Sequence, residues 1–391
     1  MNQLKNKEVD KNIDTVNFNE LIRTVGQKLI LDYKNNVLKS GINGPYDDLE
    51  TEVRDLSHLC IITAIEIIKF KRIEYLSLLH KMGDYLLSLQ EKNSLYIMRQ
   101  KKNKDICNGV IGHAWVNEAF IYLYKAAKEK KYLDAAIKIA DKHKFQKSLG
   151  IWERPKMELF DTSIDYTFNH QLWYAATLME LNQIIMSLEY EEQINIFLDK
   201  LKKNFSISKN GRIAHSIYRH SNFLSRIKQV IKKYVEKIKE KTDRKSLAYK
   251  EEGYHIFNMM AFARIYNIRK HYFFESDKFK RAMEYTNSQK MLEGLENEKI
   301  EKDSSLSNKN ILEKEKKVNI YGYPYNVPGF EIFYINQVFN KQINKNLLQE
   351  CMSKQINFTF DYKTKMFGKN CHDKITINYR VYEYYRYLEI I

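Results

Sequence analysis

Apolar residues recur along this chain at helical spacing. Leu78, Met82, Tyr85, Leu86 and Leu89 fall at i, i+4, i+7, i+8 and i+11, an apolar stripe down one helix face. Leu133, Ala136, Ile137 and Ala140 repeat the pattern, as do Leu172, Ala175, Ala176 and Met179. Near the end Ile377, Val381, Tyr384, Tyr385 and Leu388 do so again.

A larger unit sits above these stripes. A helix such as YLDAAIKIADKH (132–143) runs into a short extended turn, FQKSLGIWER (145–154). A loop then delivers the chain to a more apolar helix, DYTFNHQLWYAATLMEL (165–181). The same order returns at 197–216 and at 351–389, and an earlier version runs from 85 to 124. A unit of this size cannot bury its apolar face alone, so neighbours must stack. The more apolar, inner helices are expected to begin near residues 55, 112, 165, 252, 327 and 373. Six inner helices, each with an outer partner, predict an all-α (α/α)6 toroid with short hairpin-like turns between pairs. Closing the ring removes the ends that an open stack must cap. The expected layout is a flexible segment, 1–17, followed by one toroid domain, 18–391. Two stretches break the rhythm: a strongly basic amphipathic helix, 223–249, and a charged, Ser/Asn-rich insertion, 288–318, that reads as mobile.

Composition narrows this further. With 13 Gly and 4 Pro in 391 residues, few of the turns that punctuate a β-sandwich can be built. Net charge is +16, which favours a polyanionic partner. No nucleic-acid-binding motif is present, which leaves an acidic oligo- or polysaccharide, with peripheral contact to an anionic membrane expected through 223–249. Cys60, Cys107, Cys351 and Cys371 form no CxxC pair and no zinc spacing, and read as reduced thiols. The N-terminus lacks an apolar signal core, and no run reaches the roughly 18–20 apolar residues of a membrane span. A cytoplasmic location is the resulting expectation. No metal is expected, and no cofactor: there is no phosphate-cradling Gly loop and no G-x-S-x-G elbow.

In a helical toroid the loops entering the inner helices meet at one mouth, and helix N-termini there offer free N–H groups to carboxylates and hydroxyls. Polar and aromatic residues concentrate at those junctions. EVRDLSHL (52–59) carries Arg54 and His58; NGVIGHAWVNE (108–118) carries Gly109, His113, Trp115 and Glu118. FDTSIDYTFNHQLW (160–173) is the richest, with Asp161, Asp165, Tyr166, Asn169, His170 and Trp173. YKEEGYHIFN (249–258) adds Glu251, Glu252, Tyr254 and His255, YGYPYNVPGFE (321–331) adds Tyr325, and NCHDKITINYR (370–380) adds Asp373 and Arg380. Each has a plainer reading: Asp165 as a helix cap, His113 and His170 as core histidines, Trp115 and Trp173 as packing. Recurrence of His, Asp or Arg at five of six junctions is what core packing does not require.

Several of these segments together resemble a known group. NGVIGHAWVNEAFIYLYKAAKEKKYLDAAIKIADKH, LGIWER, SIDYTFNHQLWYAA, YKEEGYHIFNMMAFA and ITINYRVYEYYRYLE resemble bacterial proteins of surface-polysaccharide gene clusters of the "agl cluster" type, over about residues 50–390. The helix-pair layout is similar to that of unsaturated glucuronyl hydrolases and N-acylglucosamine 2-epimerases. DYTFNHQLW is similar to the Asp-Tyr-x-x-x-His-x-x-Gln stretch of glucuronyl C5-epimerases, except that Gln171 here directly follows His170.

The resemblance implies a carbohydrate-active protein working on an acidic, uronate-containing glycan. Hydrolysis needs an acid/base carboxylate, with Asp165 the first choice and Asp161 or Asp373 the second. Epimerisation or elimination needs a base that takes a proton from carbon: His113, His170 or Tyr166, with Arg54 neutralising a substrate carboxylate. Both chemistries stay open, beside a non-catalytic role as membrane-surface partner of a polysaccharide-assembly machine. His58, Trp115, Trp173, Tyr166, Asn169, His255, Tyr325, Asp373 and Arg380 complete the expected substrate contacts.

Overall fold

The computed structural model of the chain describes residues 15–91, 93–100, 104–155, 164–217, 247–296 and 318–391. Inner helices α2 (Val53–Ile68), α4 (Ile111–Ala127), α6 (Phe168–Ile185), α8 (Leu247–Ile268), α11 (Pro328–Val338) and α14 (Tyr382–Ile390) touch one another in that order. Helix α14 then returns to α2, so the ring closes as an (α/α)6 toroid. Outside it lie α1 (Thr15–Lys34), α3 (Leu76–Ser88), α5 (Lys130–Ala140), α7 (Leu188–Asn204), α9 (Asp277–Thr286) and α12 (Lys345–Thr359). The two shells differ as burial demands. All of Val53 to Ile67 in α2 is buried, because neighbours surround it, whereas α5 buries one face through Tyr132, Ala135, Ala136, Ile139 and Ala140.

The extended turns are two antiparallel hairpins of two-residue strands. β1 (Phe145–Gln146) pairs with β2 (Ile151–Trp152), Phe145 opposite Trp152; β3 (Phe360–Asp361) pairs with β4 (Met366–Phe367). Each turns the chain from an outer helix back toward the next inner one.

The centre of the ring is filled by ion pairs. Arg264 of α8 reaches Glu118 of α4 at 3.3 Å and Glu180 of α6 at 3.0 Å. Arg386 of α14 reaches Glu118 at 2.8 Å and also pairs with Glu180. All four side chains are buried.

Four boundaries differ from expectation, the first being the sixth inner helix, expected near 373, which begins at Tyr382. Helix α1 begins at Thr15, inside the segment expected to be flexible, and residues 1–14 lie outside the described residues. Within 288–318, α10 (Gln289–Glu296) is an ordered helix whose Met291, Leu292 and Leu295 are buried beside α8, so three apolar residues at helical spacing outweigh the polar composition; residues 297–317 lie outside the described residues. Of the basic helix 223–249, residues up to 246 lie outside the described residues, and Leu247 to Tyr249 open α8. No described helix is long and apolar enough to cross a membrane. All four cysteines are buried, and none is joined to another in a disulfide.

Candidate functional site

The loops that enter the inner helices enclose a cavity of about 190 Å³. Asn43, ahead of α2, draws two walls together: its Oδ1 accepts from Arg54 of α2 at 3.2 Å and from the Tyr325 hydroxyl, ahead of α11, at 2.7 Å. Asp373 fixes the loop beneath it. The carboxylate accepts the N–H groups of Ile42 (3.0 Å) and Gly44 (3.2 Å), and also those of Ile375 and Thr376 at the entry to α13 (Thr376–Tyr379). Opposite, Trp115 of α4, Asn169 and His170 of α6, Lys250, Tyr254 and Phe257 of α8, and Arg380 complete the wall.

The centre of that wall is a histidine held by a buried aspartate. Asp165 Oδ2 accepts from His170 Nδ1 at 2.7 Å and from the Val110 N–H at 3.0 Å; Oδ1 accepts from the Thr167 N–H at 3.0 Å. Burial alone would raise the pKa of Asp165. His170, Arg154 at 3.8 Å and the Thr167 N–H together outweigh it and hold the carboxyl well below its ordinary value. An ionised carboxylate can only accept, so His170 donates from Nδ1 and leaves Nε2 for the cavity. Gly109 makes this approach possible. Its φ is +67°, and a side chain there would overlap both Asp165 Oδ2 and His170 Nδ1.

A second histidine lines the same cavity. The stretch holding His215 pairs with the entry to α6: Thr167 bridges to Ser216, and Phe168 N–H donates to the His215 carbonyl at 2.9 Å. Burial, then the charges of Lys250 and His170, drive the His215 pKa well below the ordinary histidine value. It stands neutral, and its buried Nδ1 has no hydrogen-bond partner among the described residues. The Asn169 Oδ1 and Trp115 Nε1 are likewise buried and, among the described residues, unmatched in a wall that faces space. Such atoms suit the hydroxyls of a ligand.

The lining is rich in cations. Arg54, Arg99, Lys104, Arg154, Lys250 and Arg380 face it, against one carboxylate, Asp105. Asp105 is engaged by Arg99 at 3.0 Å and by the Gly109 N–H at 2.7 Å. Among the described residues no three His, Cys, Asp or Glu side chains gather to hold a metal ion.

The structure brings seven of the sequence candidates to the cavity: Arg54, Trp115, Asn169, His170, Tyr254, Tyr325 and Arg380. Asp165 and Asp373 stand behind it and position others. The remaining candidates lie elsewhere. His113 Nε2 accepts the Tyr96 N–H at 3.0 Å, and the ring packs on His143. His255 sits between the Ile213 N–H and Thr286. His58 is stacked on Tyr382, with centroids 4.1 Å apart, and Trp173 is stacked on Phe257 at 4.3 Å while its Nε1 donates to Glu118. Tyr166 is exposed outside the cavity. Asp161 lies outside the described residues. Asp165 is not poised as a general acid, since a proton donor near neutral pH needs a raised pKa and this one is lowered. Sequence reasoning passed over His215, Lys250, Arg99, Lys104, Asp105 and Arg154. Lys250 carried a usable signal: Lys250, Tyr254 and Phe257 fall at i, i+4 and i+7, one face of α8.

No family profile matches the chain. It is 28% identical over 370 residues to archaeal glycosylation protein Q of Haloferax volcanii, covering 91% of this chain and 93% of that protein. Among solved structures it is similar to cellobiose 2-epimerase of Bacillus thermoamylovorans, with a TM-score of 0.61 at 12% identity over 95% of this chain and 99% of that one. An alpha-mannanase of Bacteroides thetaiotaomicron follows at a TM-score of 0.55 and 12% identity, over 94% of this chain and 96% of the other. These likenesses place the chain in the (α/α)6 toroid fold used by carbohydrate-active enzymes, alongside a glycosylation-protein relative.

Proposed function

We propose that the chain is a carbohydrate-active enzyme of the epimerase type, which moves a proton at a carbon beside a carbonyl or carboxyl group of an acidic sugar. One observation carries this reading: two histidines in contrasting settings, His170 and His215, face one cavity with a cationic lining. One ring is held by a buried carboxylate at Nδ1 and the other has no such partner among the described residues, which gives the two different parts to play in moving a proton. His215, kept neutral, takes the proton from carbon. The electron pair left behind moves onto the adjacent oxygen, where Arg54 and Arg380 balance the charge. His170 Nε2 returns a proton, and the ionised Asp165 at Nδ1 offsets the imidazolium form of the ring. Delivery to the opposite face inverts the centre, and solvent resets both rings.

Glycoside hydrolysis is less well supported. It takes two carboxylates flanking the bond, and the described lining holds only Asp105, already engaged by Arg99. The relation to a glycosylation protein and the toroid shared with a sugar epimerase support the carbohydrate assignment. The cationic lining and net charge of +16 support an acidic substrate.

The test is incubation with a panel of uronate sugars and oligosaccharides in D2O, read by proton NMR. Loss of one C–H signal, with no new reducing end, is the expected result. Cleavage without exchange would overturn the reading in favour of hydrolysis.

A further inference from the structure

Five of the six cations facing the cavity stand beside acids. Arg54 is paired with Glu50 at 3.0 Å, Lys104 with Asp48 at 2.9 Å, and Arg99 with both Asp48 and Asp105. Arg154 lies 3.8 Å from Asp105 and from Asp165, and Arg380 is held by Glu383 at 2.6 Å and Glu331 at 3.3 Å. Among the described residues Lys250 has no acid partner. Three tyrosine rings surround its ammonium instead, with centroids at 5.1 Å (Tyr46), 5.6 Å (Tyr254) and 5.9 Å (Tyr321).

We propose that Lys250, within this ring of tyrosines, is the subsite that takes the anionic group of the substrate, a carboxylate or a phosphate; this rests on reading the cavity as a carbohydrate site. An ammonium withdrawn from water without a counter-charge destabilises the fold, and ring faces offset only part of that cost. Burial, then the neighbouring charge of Lys104, lowers the Lys250 pKa to about 8, the mark of a cation short of a partner. Lys250 also sits in the first turn of α8, where the helix adds its own positive end. An arriving anion removes all three penalties together. The five compensated cations gain less from it, because their charge is already matched. The Tyr46 and Tyr254 hydroxyls, hydrogen-bonded to each other at 2.8 Å, keep two of the rings in place.

The experiment is titration of the full chain with D-glucuronate, D-glucose 6-phosphate and D-glucose, followed by saturation-transfer NMR. At least one of the two anions should bind the wild type at least tenfold more tightly than glucose. Preference for glucuronate identifies a carboxylate, and preference for the phosphate ester identifies a phosphate. Lys250→Met should weaken the preferred anion on the order of 10- to 100-fold, to the level of glucose. Lys250→Arg should restore most of the affinity, and Lys250→Gln serves as a second neutral variant should the Met protein fold poorly. Unchanged anion binding in both neutral variants, or equal binding of all three sugars to the wild type, overturns the proposal. The deuterium-exchange assay separates the two readings. A protein that binds an anion through Lys250 but exchanges no sugar proton keeps the subsite and loses the epimerase reading. One that exchanges while Lys250→Met binds normally does the reverse.

Discussion

In the interior of the ring, Arg264 and Arg386 face Glu118 and Glu180, two cations against two anions, and these four side chains fill the space between inner helices. At the mouth, among the described residues, six cations and one carboxylate line an open cavity, and five of those cations stand beside acids. Both regions set basic side chains against acids, yet the interior charge closes on itself, whereas at the mouth Lys250 is left without an acid among the described residues. The histidines divide in the same way. His255 spends both ring nitrogens, on the Ile213 N–H and on Thr286, and His113 spends Nε2 on the Tyr96 N–H while its Nδ1 is buried away from the cavity, whereas His170 and His215 line the cavity itself. Matched polarity facing no space is architecture; unmatched polarity facing space is where a ligand can be recognised.

The sharpest test of that division is at His170. His170→Gln keeps a donor for Asp165 but removes the group that carries the proton. Solvent-exchange turnover on an identified substrate should fall on the order of 10²–10⁴-fold, while the urea midpoint barely moves. A near-normal rate would take His170 out of the chemistry and place it with His113 and His255.

Arg264→Met should give the opposite profile. It strips Glu118 and Glu180 of one of their two arginines in a fully buried setting, and removing one partner of such a pair costs about 3–5 kcal/mol. Urea denaturation should show that loss, with turnover per folded molecule little changed. If stability holds and activity collapses, the interior lattice belongs to the site after all.

His255 offers a smaller, pH-dependent check on the buried histidines. Burial lowers its pKa to about 3, against about 6.5 in an unfolded chain. Its depressed value means the unfolded state binds the proton first. The stabilising contribution is therefore complete above about pH 6.5 and is lost as pH falls toward the folded value. Relative to His255→Asn, the wild type should give up about 2 kcal/mol between pH 7 and pH 5. A stability gap that stays flat over that range would mean that His255 is not held neutral.

The ring was legible because its signal is periodic. Starts expected near 55, 112, 165, 252 and 327 fall at Val53, Ile111, Phe168, Leu247 and Pro328, since an inner helix buried on every face stands out against a one-sided outer helix; the sixth, expected near 373, begins at Tyr382, beyond the short α13. The site was harder to read for a geometric reason. Knowing where an inner helix begins does not say which of its faces turns inward, and each residue advances the face by about 100°. On α8 the choice of His255 landed on the core, while Lys250, Tyr254 and Phe257 form the cavity face. On α6 His170 faces the cavity and Trp173, three residues on, is buried against Phe257. His215 and Arg154 come from the segments between helices, where no period exists to mark them. Their places depend on pairing, such as the Thr167–Ser216 bridge, that only the folded chain supplies.

The smallest expected effect falls on Tyr166, which the sequence offered as a base beside Asp165. Its backbone carbonyl accepts the Ile217 N–H at 2.9 Å and so helps tether the stretch that carries His215. Its side chain is 38% exposed and lies outside the cavity, next in sequence to a carboxylate with no surface at all. Tyr166→Phe deletes the hydroxyl and leaves the backbone tether untouched. Exchange turnover should stay within about twofold of wild type, since substitutions on an exposed ring away from such contacts are usually close to neutral. A tenfold loss would require the Tyr166 hydroxyl to reach the substrate. The entry to α6 would then have to move on binding and carry His215 with it, and the proton-transfer geometry between His170 and His215 would belong to a closed state of the mouth.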